Sequence, residues 1–381
     1  MQIAIWFGLA LVGALVVTGL LVASQRWHGA LSADSQMRGK QKFHARAVPR
    51  IGGVGVVAGM LLAAAVAPWW ANAVGGDLGL LLLASVPAFA VGLAEDLCKR
   101  VRPLWRMLGI MGAAVLAIWL LDAQLKRLGI VHLDTLMQIN AIAIVITVFA
   151  VAGVSNAVNI IDGYNGLAGG VACLICVGLA YVAWRVGDAL VLHASLALLA
   201  ALLGFLCWNF PRGAIFLGDG GAYFIGFMLA ELAVLLLARN PRVSVWYPLV
   251  LCAYPVVEVL FSVYRKKFVR GLSPGQPDGA HMHMLIYKRL LRQDAHAHSA
   301  DIKTRRNART SIYLWGLAAS ASLPAMLFWD VDGVLRVLFV TFCLLYVWLY
   351  RAIVRFHRPG WLMLSPGTEE GAAPAPDQDE R

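Results

Sequence analysis

The chain has 381 residues, 60% of them hydrophobic and 14% charged, with a mean hydropathy of +0.72 and a net charge of +11. So much apolar surface excludes a soluble globular domain and leaves no nucleic-acid-binding fold for the positive charge to serve. The composition is that of an all-α protein that crosses a membrane many times.

Apolar runs of about 17 to 22 residues, the length that crosses a bilayer, predict eleven transmembrane helices. They fall near 3–23, 52–71, 78–95, 105–121, 139–155, 167–184, 189–208, 222–238, 245–263, 312–329 and 333–350. Of the 32 Lys and Arg, 26 lie in one alternating set of loops (24–50, 97–106, 210–220, 264–311 and after 350) and six on the other side. The positive-inside rule then makes the N-terminus periplasmic and the C-terminus cytoplasmic, with Arg239 and Arg242 as local departures. The first run has no basic residue before it and reads as an outside-first anchor rather than a signal peptide. Residues 1–355 are expected to form one transmembrane domain with a cytoplasmic loop at 264–311. Residues 356–381 form a cytoplasmic tail, expected to be disordered from about 365 because it is rich in Ala, Pro and acids.

Taken along the chain, the first polar element is RGKQKFHARAVPRIGGVG at 38–55. Its Arg38, Lys40, Lys42, His44, Arg46 and Arg50 sit at headgroup level, where they suit a lipid phosphate or serve as ordinary anchors, and Gly52-Gly53 permits close helix packing. The third run ends at Glu95-Asp96, adjacent acids about 100° apart on a helix, so one of them faces a site. Lys99, Arg100 and Arg102 beside them leave an interfacial ion-pair network open as the other reading. Loop 122–138 mixes apolar residues with Lys126, Arg127 and Asp134 and reads as interfacial.

The fifth run leads into NAVNIIDGYNGLAGG, residues 156–170. On a helix Asn156, Asn159 and Asp162 fall within about a third of the circumference, so three oxygen-bearing side chains can converge on a ligand or cation. The glycines and the Asn165-Gly166 turn let backbone come close to that ligand. Cys173 and Cys176 lie inside an apolar helix and read as small core residues, and the six cysteines imply no disulfide framework.

FPRGAIFLGDGGAYF, residues 210–224, sets Asp219 among Gly218, Gly220 and Gly221. Backbone amides there can reach a phosphate while the carboxylate holds a divalent ion. Phe216 offers a flat face to a base, or is an ordinary interfacial aromatic. Glu231 and Glu258 are acids within apolar runs; Arg265, about two turns after Glu258, is its candidate partner. In PDGAHMHMLIYKRL, residues 277–290, His281 and His283 share a side only on an extended backbone. They suit phosphate oxygens better than zinc, since no cysteine lies nearby. His296 and His298 read as a solvated loop.

Oxygen ligands, glycine-rich turns and a basic loop on one face suggest Mg²⁺-assisted transfer between a soluble phosphorylated donor and a lipid phosphate. No GxxxxGK[ST] or HExxH motif is present. From about residue 34 to 350 the chain resembles the polyprenyl-phosphate N-acetylhexosamine-1-phosphate transferase superfamily (glycosyltransferase family 4), in its undecaprenyl-phosphate aminosugar branch. The resemblance implies ten or eleven membrane helices, an active site on the cytoplasmic face of the bacterial inner membrane, and Mg²⁺ as cofactor with Mn²⁺ as an alternative. It also implies a homodimer. By that likeness Asp96 matches the catalytic aspartate of a paired acid motif, and Glu95 stands where the family usually has Asp. Asp162 closes the NxxNxxDG motif that begins at Asn156 and organises nucleotide and metal with Asn159. Asp219 matches the magnesium-binding aspartate, with Asp162 as a second metal candidate. Phe216 takes the place of the aromatic that stacks on uracil, with Gly218 beside it. His281 and His283 match a phosphate-contacting HxHH loop, whose last position is Met284 here. His44, Arg46 and Arg50 fall on the lipid-phosphate segment.

The implied reaction takes a UDP-N-acetylaminosugar and undecaprenyl phosphate to undecaprenyl-diphosphate-sugar and UMP, starting O-antigen or another surface polysaccharide. Direct attack by the lipid phosphate is favoured over an aspartyl intermediate. A monoester with a second pKa of about 6 is largely dianionic at neutral pH and scarcely needs a base. A phospho-N-acetylmuramoyl-pentapeptide transferase is the rival within the class. An ion-coupled transporter, whose acids belong near the midplane, and a noncatalytic lipid-binding scaffold are the rivals outside it. The identity of the UDP-sugar stays open.

Overall fold

The computed structural model describes residues 2–32, 48–66, 72–273, 279–291 and 300–355. The described residues form helices and loops: α1 (Gln2–Ala23), α2 (Gln25–Ser32), α3 (Gly53–Val66), α4 (Asn72–Cys98), α5 (Pro103–Leu121), α6 (Val131–Leu136), α7 (Asn140–Ile161), α8 (Leu167–Val186), α9 (Ala189–Asn209), α10 (Gly218–Arg239), α11 (Trp246–Leu251), α12 (Ala253–Tyr264), α13 (Met282–Leu285), α14 (Ala300–Leu327) and α15 (Asp332–Val354). Single wide turns at Arg265–Val269 and Ile286–Leu290 extend α12 and α13. Eight helices among the described residues, α1, α4, α5, α7, α8, α9, α10 and α15, are long and apolar enough to cross a membrane. The other three predicted runs fall on a shorter apolar helix (α3), a helix broken at Cys252 (α11 and α12) and the apolar half of α14. His44, Arg46, His296, His298 and the 356–381 tail lie outside the described residues.

α10 is the hub. Almost every residue from Gly218 to Leu237 is buried, as expected of a helix that is apolar on all sides. It packs on α4 and α7 along its length and also meets α3, α5, α8 and α9. Apolar burial drives little helix association inside lipid, so close backbone packing must do it, and small residues make that contact. A methyl group on Gly53 of α3 would lie 2.2 Å from the Cα of Gly221, and one on Gly226 would lie 2.5 Å from the Cα of Ser155 on α7. One on Gly92 of α4 would lie 2.6 Å from the Asp219 carbonyl. Two of these three crossings sit at the start of α10, and they bring the ends of α3 and α4 around it.

Candidate active site

The loop before α3 is laced to the loop before α10. Pro49 accepts the N–H of Phe216 at 2.8 Å, while Gly52 and Gly53 donate to the carbonyls of Phe216 and Leu217 at 2.9 Å each. Arg50 is thereby held over the first turn of α10. Gly218 opens that helix at φ +77, and a side chain there would sit 1.9 Å from the Arg50 carbonyl, so glycine is required for shape and space together.

Asp96, near the end of α4 and buried, reaches under this turn. Its Oδ1 accepts the N–H of Asp219 at 2.9 Å and its Oδ2 accepts that of Gly220 at 2.8 Å. The Asp219 side chain points the other way. Arg50 and Asn159 donate to its Oδ1 at 3.2 Å each, and Arg106 donates to its Oδ2 at 2.5 Å. Glu95 accepts the N–H of Val101 at 2.7 Å, which ties it to the turn before α5.

α7 ends at Ile161, and Asp162 leaves the helical conformation at φ −78, ψ 54. Asn209 holds the following turn by accepting the N–H of Gly166 at 2.6 Å and donating to Ile215 at 2.7 Å. Asn307 of α14 accepts the N–H of Asn165 at 2.7 Å. Burial pushes the Asp162 carboxyl up to about 7; Arg50 opposes that rise, and the carboxylates of Asp219 and Asp96 add to it.

His281 is extended (φ −65, ψ 151), and α13 starts one residue later. This change of backbone lets the two imidazoles stack, with ring centres 5.3 Å apart and planes 6° from parallel. Burial pushes His283 down to about 3, Glu258 opposing and His281 adding to the shift, so this ring is neutral. The expected pairing of Glu258 with Arg265 is corrected. Glu258 bonds His281 at 2.9 Å, whereas Arg265 donates to Tyr350 at 3.0 Å and to Ser262 at 3.5 Å. Arg265 lies beyond the end of α12, in the wide turn, which carries its side chain toward α15. The oxygens of Glu231, buried in mid-helix, meet no hydrogen-bond partner among the described residues.

One cavity of about 390 Å³ joins these pieces. Of the residues expected from sequence it is lined by Arg50, Glu95, Asn159, Asp162, Phe216, Asp219, His281 and His283. Asp96 lies beneath its floor, Gly218 shapes the turn, and Asn156, half-buried one turn before Asn159, does not reach it. Arg106, Tyr164 and Asn209 also line the cavity and were missed. For Arg106 a signal existed: a cation in the first turn of a helix opposes the helix dipole and needs an anionic partner. Asn209 carries no such mark, because its role depends on the α8 turn that it meets in space.

The donor set fits a hydrated Mg²⁺. Among the described residues no three His, Cys, Asp or Glu side chains form a ready cage. Mg²⁺ commonly takes one or two carboxylates and completes its shell with water and substrate phosphate. Asp219 and Asp162 would supply the protein ligands. The rise at Asp162, to which Asp219 and Asp96 contribute, reflects crowded negative charge that a dication would relieve.

The described residues thus form a multi-helix membrane protein with a polar cavity at the ends of α4, α7 and α10. Residues 78–237 match glycosyl transferase family 4. The chain is 28% identical over 293 residues to a "Probable undecaprenyl-phosphate N-acetylglucosaminyl 1-phosphate transferase" of Bacillus subtilis (strain 168), covering 74% of this chain and 76% of that one. It is 26% identical over 250 residues to the undecaprenyl-phosphate alpha-N-acetylglucosaminyl 1-phosphate transferase of Thermotoga maritima (66% and 72% covered). The protein of the same name from Escherichia coli (strain K12) is 26% identical over 257 residues (65% and 67% covered). The family match and these relatives support a phosphotransferase similar to the polyprenyl-phosphate N-acetylhexosamine-1-phosphate transferases.

Proposed function

We propose that this enzyme transfers an N-acetylaminosugar-1-phosphate from a UDP-sugar to undecaprenyl phosphate, releasing UMP, at the cytoplasmic face of a bacterial inner membrane. The product, undecaprenyl-diphosphate-sugar, would start O-antigen or another surface polysaccharide. The eleven-span topology with a periplasmic N-terminus and a homodimeric state belong to the same reading. The observation that carries it is the cavity that unites Arg50, Asp162, Asp219, Phe216 and the two histidines at one end of the helices.

In this reading Phe216 stacks on uracil, Asn159 orients the nucleotide, and His281 and His283 meet the diphosphate. Arg50, on the loop beside α3, takes the lipid phosphate together with His44 and Arg46. Mg²⁺, held by Asp219 and Asp162, would neutralise charge on the transferring phosphoryl group. The lipid phosphate is largely dianionic at neutral pH and attacks in line without a base. Asp96 contributes by holding the first turn of α10, which aims Asp219. Glu95 sits at the cavity wall and pins the turn that delivers Arg106.

The test is a radiolabel transfer assay with purified protein, undecaprenyl phosphate, Mg²⁺ and a panel of UDP-sugars. Lipid-extractable label that requires Mg²⁺ and disappears in Asp219→Asn is expected. Equal transfer in EDTA would reject the mechanism, and label retained on protein before lipid is added would replace direct attack with a covalent route.

A further inference from the structure

Glu258 is fully buried within α12, where an unpaired carboxylate would be very costly. Three donors surround it. His281 donates from Nδ1 at 2.9 Å, the Met282 N–H lies 3.2 and 3.3 Å from its two oxygens, and the Tyr346 hydroxyl of α15 donates at 2.9 Å. One turn along the same helix, Tyr350 donates to the Ala280 carbonyl at 3.2 Å and accepts from Arg265 at 3.0 Å. The backbone is thus gripped on both sides of His281, at Ala280 and at Met282. Neither Glu258 nor either tyrosine lines the cavity; His281 does. All of these groups lie outside the segment that matches the family.

A histidine with one ring nitrogen committed to a carboxylate has its tautomer and its ring plane set by that bond. We propose that Glu258, backed by Tyr346, is a positioning residue for the transfer. It holds the Nδ1–H of His281, which fixes the ring plane and leaves Nε2 as the ring atom offered to the nucleotide diphosphate. The inference rests on the transferase reading for what His281 contacts, and on geometry alone for how His281 is held. Negative charge builds on the departing UMP phosphate as the diphosphate bond breaks. The His281 contact therefore strengthens toward the transition state, and loss of its support falls on kcat more than on KM.

The first measurement uses the unaltered protein. ¹⁵N-histidine NMR in lipid nanodiscs, with His281→Gln to assign the signal, is expected to show a protonated, hydrogen-bonded Nδ1 on His281, with Nε2 responding to added UDP. A bare Nδ1 with the proton on Nε2 would overturn the proposal. In the transfer assay Glu258→Gln is expected to lower kcat by roughly 10- to 100-fold while KM for the nucleotide sugar moves less than about threefold. Tyr346→Phe, which keeps the carboxylate, should give a smaller loss in the same direction. A Glu258→Gln protein that turns over like the parent would also overturn it. Parent protein inactive with every UDP-sugar would sink the transferase reading instead, and the NMR result would still decide how His281 is held.

Discussion

The side chain of Asp96 and the backbone of Asp219 form one unit: the carboxylate accepts the Asp219 N–H at 2.9 Å and, with its other oxygen, the Gly220 N–H at 2.8 Å. A helix begins with unpaired N–H groups and partial positive charge. A carboxylate delivered from α4 satisfies both and fixes where α10 starts. Asp219 then projects into the cavity at a defined angle.

Asp96→Asn tests that unit. The amide keeps one acceptor oxygen and turns an NH₂ toward a backbone donor, a mismatch that costs about 1 to 3 kcal/mol. Transfer should fall by roughly two orders of magnitude or more, as expected when a catalytic group is displaced by about an ångström. Melting of the detergent-solubilised protein should shift to lower temperature. An Asp96→Asn variant with parental activity and melting would refute the assigned role.

Arg106 holds one oxygen of Asp219 and Arg50 the other. Both guanidiniums compete with a cation for that carboxylate and become available to phosphate once it binds. Arg106→Ala should therefore reduce transfer by about tenfold or more, the scale of a lost charged contact, without weakening Mg²⁺ binding. Asp219→Asn should weaken Mg²⁺ binding itself. Titration with Mn²⁺ followed by paramagnetic resonance separates the two cases.

The Asp162 carboxyl, pushed up to about 7 by burial, gives a pH dependence with a definite sign. Below that value it carries a proton that a cation must displace, so the apparent Mg²⁺ affinity should weaken as pH falls from 8 to 6 and level off above 8. Without cation, the raised value makes its stability contribution greatest below the ordinary aspartate range, and that contribution is lost as pH rises through about 7. Added Mg²⁺ should restore melting temperature most strongly at pH 8. Asp162→Asn should flatten both profiles; an unchanged slope in Mg²⁺ affinity would reassign the titration.

Phe216 tests recognition of the base. Stacking of a base on an aromatic ring is worth about 1 to 3 kcal/mol. Phe216→Ala should raise KM for the UDP-sugar by roughly 5- to 150-fold, with a smaller change in kcat, since the uracil takes no part in bond breaking. Phe216→Tyr should stay near the parent. A loss confined to kcat would count against stacking.

Much of the site could be read along the chain because its residues are local to helix ends. Asp162, just past the end of α7, stands three residues after Asn159, Asp219 sits in a glycine-rich start, and His281 and His283 bracket one methionine. Their surroundings could not be read in the same way. Asn156 fits the same periodic stripe as Asn159, yet α7 turns it away from the cavity. Glu258 has Arg265 within two turns, but the wide turn after Tyr264 sends the arginine to Tyr350 and leaves the acid to His281.

Hydropathy and charge are properties of short segments. They were enough to mark the apolar runs and to single out the polar residues at helix ends. Partner choice is not local. Arg106 meets Asp219 across 113 residues, Asp96 meets Gly220 across 124, and Glu258 meets Tyr346 across 88. Those distances close only because glycine contacts let α3, α4 and α7 crowd against α10, and because α15 returns beside α12. Packing of helix against helix, which no single stretch of chain encodes, decided which acid aims Asp219 and which one holds a histidine.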